Sequence, residues 1–166
     1  MNIRRFAESD MPAVLAIQGE CAQAAQWHEQ DYTRLAQDPA GLLLVAEVEP
    51  PTLDASASAV AHKDQHPSAR SGVAGFAGFY TLIDEAELRN LAVARAHQRR
   101  GIGKALLEEA HRRLREAGVK RVCLEVRPSN TPALRLYHGL CYSLVATRKD
   151  YYQHPPEDGC VLSLIL

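Results

Sequence analysis

The 166-residue sequence has few aromatic residues, among them one tryptophan and three phenylalanines, and no apolar run long enough to span a bilayer. Its opening stretch, MNIRRFAESD, is too polar for the apolar segment of a secretory signal. Both absences lead us to expect a cytoplasmic protein with no membrane partner. The four cysteines, Cys21, Cys123, Cys141 and Cys160, form no C-x-x-C pair. That argues against a disulfide framework or a zinc knuckle, and buried thiols are expected instead. The seven histidines lack ligand spacing, so no metal is expected.

Two phosphate-binding signatures are also missing. A Walker A loop needs a glycine five residues before its Gly-Lys pair and a Ser or Thr after it; around Gly103-Lys104 those positions hold Gln98 and Ala105. A dinucleotide fingerprint needs a third glycine where Leu106 stands, although Glu125 falls near its acidic position. What remains is HQRRGIGKAL (97–106), with two glycines at the entrance of an amphipathic run. Glycine weakens a helix, so two at its entrance require a reason. One is a tight turn with solvated arginines. The other is an anion drawn to free helix N–H groups, with Arg99, Arg100 and Lys104 adding charge.

The length suits a single domain over 1–166. Net charge is −1, but residues 1–85 carry 5 basic against 12 acidic side chains, whereas residues 86–166 carry 14 against 8. An anionic partner for the second half and a cationic group for the first would account for the split; so would a folded surface on which the halves intermingle. The basic stretch HRRLREAGVKR has no interleaved aromatics and carries a glutamate among its charges, so no nucleic-acid partner is expected.

Strands are expected at 2–6, 41–48, 72–84, 85–94, 121–126 and in two final segments around a turn at His154–Gly159. Helices are expected from a Ser9 or Asp10 cap toward Cys21, over Glu29–Ala36, from Ile102 to a stop at Gly118, and from Pro128–Pro132 through Leu140. Segment 50–71, rich in Pro, Ser, Ala and Asp, reads as a flexible loop insertion. The order βααβββαβαββ makes an α+β protein, a mixed and mostly antiparallel sheet flanked by helices.

NLAVARAHQRRGIGKALLEEA, LEVRPSNTPALRLYHGL and RKDYY, in that order, resemble the GNAT acyl-CoA N-acyltransferase superfamily, and within it the RimI-like N-alpha-acetyltransferases. The resemblance spans about Gly72 to Leu166 and is weaker before that, around Trp27-His28-Glu29. It implies the GNAT fold and acetyl-CoA as co-substrate. It assigns Arg99, Arg100, Gly101, Ile102, Gly103 and Lys104 to the pyrophosphate, and Leu91, Ala92 and Val93 to the pantetheine arm. Asn130 would lie near the same arm, although a helix cap is an equally good role for it. The implied acceptor is a protein or peptide N-terminus, such as that of a ribosomal protein, or a small amine. Trp27, Tyr151 and Tyr152 would bind that acceptor, although a plain hydrophobic hairpin would also account for the tyrosine pair. The assembly would be a monomer or a homodimer.

Glu125 interrupts an apolar strand, where a carboxylate is costly unless partnered or functional. It either pairs with Arg127 or a neighbour on an exposed face, or takes a proton from the attacking amine. The resemblance makes Tyr137 the acid that protonates the departing thiolate; otherwise it is packing. Cys123 shares a strand face with Glu125, which leaves an acyl-cysteine route to be weighed against a core thiol. Three features depart from the family pattern: Cys141 where a turn usually has glycine, Arg95-Ala96 in place of a proline-containing stretch, and the 50–71 insertion. A small-molecule amine acetyltransferase and a non-catalytic acyl-CoA-binding module are the alternative readings.

Overall fold

The computed structural model describes residues 1–49 and 72–166, so the expected insertion at 50–71 lies outside the described residues. The chain runs through β1 (Asn2–Arg5), α1 (Met11–Glu20), α2 (Glu29–Gln37), β2 (Gly41–Glu47), β3 (Val73–Leu82), β4 (Glu85–Val93), α3 (Ile102–Glu116), β5 (Arg121–Val126), α4 (Thr131–Gly139), β6 (Ser143–Gln153) and β7 (Pro156–Ile165). That is the order expected from the periodicities. Among the described residues, no helix is long and apolar enough to cross a membrane.

Among the described residues the strands form one seven-stranded sheet in the order β1-β2-β3-β4-β5-β7-β6. Every pairing is antiparallel except β4 with β5. A parallel neighbour requires a crossover, and α3 supplies it. The sheet separates two apolar layers. On one face Leu106, Leu107, Ala110 and Leu114 of α3 and Tyr137 of α4 pack with Phe79, Leu88, Val122 and Leu124. On the other, Ala13, Val14 and Ile17 of α1 and Tyr32 and Leu35 of α2 pack with Val45, Phe76 and Ala92.

Local chemistry departs from expectation at two places. Asp10 precedes α1 but does not cap it with its side chain. Its carboxylate turns back to the Ala7 N–H at 2.8 Å and takes both terminal guanidinium nitrogens of Arg4 at 2.6 and 2.8 Å, and such a bidentate ion pair outweighs a single cap bond to α1. The last hairpin turns at His154-Pro155, not over His154–Gly159, because β7 already begins at Pro156. Gly159 is therefore a strand residue; a Cβ there would lie 3.0 Å from the Tyr151 ring. The acidic and basic halves of the sequence meet in the Lys120–Asp84 and Arg121–Glu85 ion pairs.

Cys141 keeps the left-handed backbone that glycine usually serves, at φ 66°. The turn is held by Cys141 N–H to His138 O and Tyr142 N–H to Tyr137 O, both 3.0 Å. Beside it Tyr142 is buried and its hydroxyl lies 2.7 Å from His111 Nε2. Burial, together with nearby Arg115, lowers the His111 pKa from 6.5 to about 4.

Two outcomes follow. Cys141→Gly relieves the left-handed strain and is expected to raise stability by about 1 kcal/mol, read as a higher denaturation midpoint. Between pH 6.5 and about 4 the unfolded chain binds a proton at His111 that the folded chain refuses. The stability present above pH 6.5 is therefore lost as pH falls, by roughly 2 kcal/mol at about pH 5. Urea titrations at a series of pH values should show the decline, and His111→Gln should flatten it.

Candidate active site

β4 and β5 pair only over Glu85–Leu88 with Arg121–Leu124. Leu88 and Asn90 face Phe79 and Gly78, so Arg89 is an extra residue on β4. A bulge bends and twists its strand, and this one occurs where β4 leaves β5. It also inverts the alternation. Ala86 and Leu88 point to the α3–α4 layer, whereas Ala92 and Ala94 point to the α1–α2 layer. Ala94 N–H donates to Ala74 O at 2.8 Å, so by alternation Asn90 and Ala92 also exchange bonds with β3. Leu91 and Val93 then direct their backbone groups into the gap. The Val93 carbonyl is taken by Gln98 Nε2 at 3.0 Å and Cys21 Sγ at 3.3 Å.

The gap opens into a cavity of about 930 Å³. Apart from Arg100, and from Cys123 as the weighed acyl-cysteine, every residue singled out for a site role in the sequence lines it: Leu91, Ala92 and Val93; Arg99, Gly101, Ile102, Gly103 and Lys104; Asn130, Glu125 and Tyr137; and Trp27, Tyr151 and Tyr152.

The glycine loop forms one end. Arg99 and Gly101 are left-handed, at φ 60° and 80°. Gly101 is the N-cap of α3 and offers no side-chain cap, and the first bond into the helix is Ala105 N–H to Gly101 O at 2.9 Å. The N–H groups of Ile102, Gly103 and Lys104 thus have no acceptor within the helix. Lys104 lies 3.3 Å from Glu108; among the described residues Arg99 and Arg100 have no ion pair. The Arg95-Ala96 departure folds as a single 3-10 turn, Arg95–His97. Asn130 serves as the cap foreseen for it, its Oδ1 accepting from Ala133 N–H at 3.3 Å while the residue also lines the cavity.

At the other end, Val122, Leu124 and Val126 of β5 point to the α3–α4 layer, which turns Glu125 to the opposite face. Its carboxylate is mostly buried and pairs with Arg148, not Arg127, at 2.9 Å. The hydrogen bond that Tyr151 makes to Glu125 raises the pKa of the Tyr151 phenol, with burial adding to the shift. The β6 register slips between Arg148 and Tyr152, and this places Tyr151 over Gly159 beside the carboxylate. Arg127 instead lies 4.0 Å above the Tyr152 ring and 3.3 Å from Glu157, and donates to His154 O and Pro155 O at 3.0 Å.

Tyr137 lies on the α3–α4 side, buried, and burial raises its phenol pKa well above the ordinary value. The cavity therefore has a carboxylate on one face of the sheet and a protonated phenol on the other. Cys123 does not line it, and its Sγ faces Ser163 Oγ at 3.7 Å, which gives an acyl-cysteine no support; nor is it the expected core thiol, because it is half-buried and packs in neither apolar layer, and of the four cysteines none is fully buried and Cys141 is exposed. Among the described residues there is no cluster that could hold a metal ion.

Sequence reasoning missed three contributors: Arg148, the Arg127–Glu157 latch and Asn90. The first two act through a register slip and a hairpin closure that spacing does not reveal. Asn90 did leave a signal, as an amide at an even position of EAELRNLAVA, where Ala86, Leu88 and Ala92 are buried.

Residues 11–140 match the family model for the acetyltransferase (GNAT) family. The [ribosomal protein bS18]-alanine N-acetyltransferase of Escherichia coli K12 is 42% identical over 87 residues, 52% of this chain and 57% of the relative; the match thus spans little more than half that relative's length. The crystal structure of the ribosomal-protein-S18-alanine N-acetyltransferase from Escherichia coli superposes with a TM-score of 0.76 at 28% identity, covering 99% of this chain and 92% of the other. The ribosomal-protein-alanine N-acetyltransferase of Brucella melitensis shares the fold, with a TM-score of 0.76 at 21% identity over the full length of both chains.

Proposed function

The chain belongs to the acetyltransferase (GNAT) family, and we propose that it transfers the acetyl group of acetyl-CoA to the N-terminal α-amine of a protein, by direct attack in a ternary complex. The observation that carries this reading is the cavity through the sheet, with Glu125 and Tyr137 on opposite faces and an uncapped glycine helix at one end. The co-substrate fits. Three unspent N–H groups, the helix dipole and the Arg99 and Lys104 charges suit a diphosphate, and the unpaired edge of β4 suits an amide-bearing arm. Arg100, outside the cavity, would act on the diphosphate only through its charge.

Bound acetyl-CoA supplies an activated acyl carbon and a thiolate leaving group. Leu91 and Val93 align the arm along β4, and Asn130 holds its far side. Glu125, oriented by Arg148 and Tyr151, takes the proton from the ammonium directly or through water, which frees the nitrogen lone pair. The nitrogen–carbon bond forms from that face as the carbon–sulfur bond breaks, Tyr137 gives its proton to the thiolate on the other face, and the acylated nitrogen releases its second proton to water, from which Tyr137 regains the one it gave. Burial keeps Tyr137 protonated at neutral pH, as a proton donor must be.

Trp27, Tyr151 and Tyr152 form the acceptor end. The E. coli relative is named for an alanine of ribosomal protein bS18, and we assign this chain the same class of acceptor, in the cytoplasm. An α-amine has an ordinary pKa near ~7.7–8.0 against ~10.4 for lysine, so a weak carboxylate base suits the former.

Turnover should be measured with acetyl-CoA and a peptide bearing a free N-terminal alanine. Acetylation only of internal lysines, or only of polyamines, would overturn the acceptor assignment. Glu125→Gln is expected to lose most rate at low pH and recover partly as the amine deprotonates by itself. Tyr137→Phe should lower kcat with little change in acceptor KM; each loss is expected at roughly 10²–10⁴-fold where proton transfer limits the rate. A Cβ on Gly101 meets nothing within 4 Å, but the residue sits at φ 80°. Gly101→Val therefore displaces the backbone, and calorimetry should show acetyl-CoA binding about tenfold weaker in a folded variant.

A further inference from the structure

Asn90 is 4% exposed, stands opposite Gly78 on the α1–α2 face and lines the cavity described above. Its Nδ2 donates to the Ala25 carbonyl and the Tyr32 hydroxyl, both at 3.0 Å. Tyr32 in turn donates to Gln18 Oε1, which also accepts the Trp27 N–H at 3.0 Å, while Gln18 Nε2 donates to the Trp27 carbonyl at 2.9 Å. Every partner in this network is spent but one. Asn90 Oδ1 has none, and among the described residues no other buried side-chain nitrogen or oxygen is left this way. The amide cannot simply be turned over, because the Ala25 carbonyl accepts only from a donor. An acceptor buried without a partner costs about 1–3 kcal/mol, so its retention beside a cavity needs a reason.

Asn90 and Glu125 flank the gap from its two strands, on the same face of the sheet. Trp27, whose backbone the Asn90 network holds through Gln18, lines the same end. We propose that Asn90 Oδ1 accepts a hydrogen bond from the nitrogen of the incoming primary amine. This rests on the acetyl-transfer reading above. A primary ammonium has three N–H bonds. Glu125 removes one proton, Asn90 holds a second N–H, and the freed lone pair is left pointing at the acyl carbon. Asn90 is thereby a residue that selects and orients primary amines, and its Nδ2 ties the acceptor-side loop to the same strand.

The test compares initial rates on the alanine peptide at saturating acetyl-CoA. Asn90→Leu is expected to lower kcat/KM for the peptide about 10- to 100-fold, with the acetyl-CoA dissociation constant unchanged within about twofold. Tyr32→Phe loosens the same network without touching Oδ1 and is expected to keep kcat/KM within about threefold. An Asn90→Leu enzyme with wild-type kcat/KM, or a Tyr32→Phe enzyme that reproduces its loss, overturns the proposal. A measurement on the wild type needs no folded variant: a crystal structure with CoA and the peptide. An amine nitrogen within about 3.2 Å of Oδ1 supports the proposal, and a water on Oδ1 with the amine elsewhere overturns it. A wild type that acetylates no amine overturns this inference together with the proposed function, whereas an active wild type with an indifferent Asn90→Leu overturns this inference alone.

Discussion

Beyond Leu88 and Leu124 the two central strands stop bonding to each other, and most of the molecule is arranged around the groups this leaves open. A parallel pair within a sheet normally continues until one strand ends. Here the extra residue at Arg89 turns β4 aside while β3 still holds its other edge. The backbone groups of Leu91 and Val93 then face a gap, and an open strand edge inside a protein must be satisfied by something. Gln98 and Cys21 cap the last carbonyl; the rest is available to a ligand that can pair like a strand.

Because the bulge also inverts which face each side chain takes, β4 serves two layers. Its first half anchors the α3–α4 core through Ala86 and Leu88, and its second half anchors the α1–α2 core through Ala92. Asn90 therefore falls in the α1–α2 layer, where it ties the loop carrying Trp27. The gap and the loop that covers it thus have one origin. The same division underlies the proposed chemistry: with Glu125 on one face and Tyr137 on the other, the proposed proton removal and proton delivery need not compete for the same space.

The surrounding contacts hold that geometry in place. Arg127 combines an ion pair with Glu157, two carbonyl bonds and a stacked Tyr152, and these fix the hairpin tip against the loop that begins α4. Charge-assisted bonds of this kind gain most where water is partly excluded. At Cys141 the turn keeps a left-handed backbone without glycine, so packing of Tyr142 and Tyr137 outweighs the local steric cost.

The sequence by itself determined the elements and their order, the α+β architecture and the glycine-capped helix, and its motifs, through the family they resemble, pointed to most of the residues that line the cavity. These are local properties: periodicity of apolar side chains, turn residues and short motifs with fixed spacing. Only the tertiary structure decided where β4 leaves β5, that Arg148 and Tyr151 hold Glu125, that the last hairpin turns at His154-Pro155, and that Asn90 keeps an unspent acceptor. Each of these depends on register between strands far apart in the chain. A single extra residue such as Arg89 changes register and face together, and its effect is set by what the neighbouring strand and the two cores will accept.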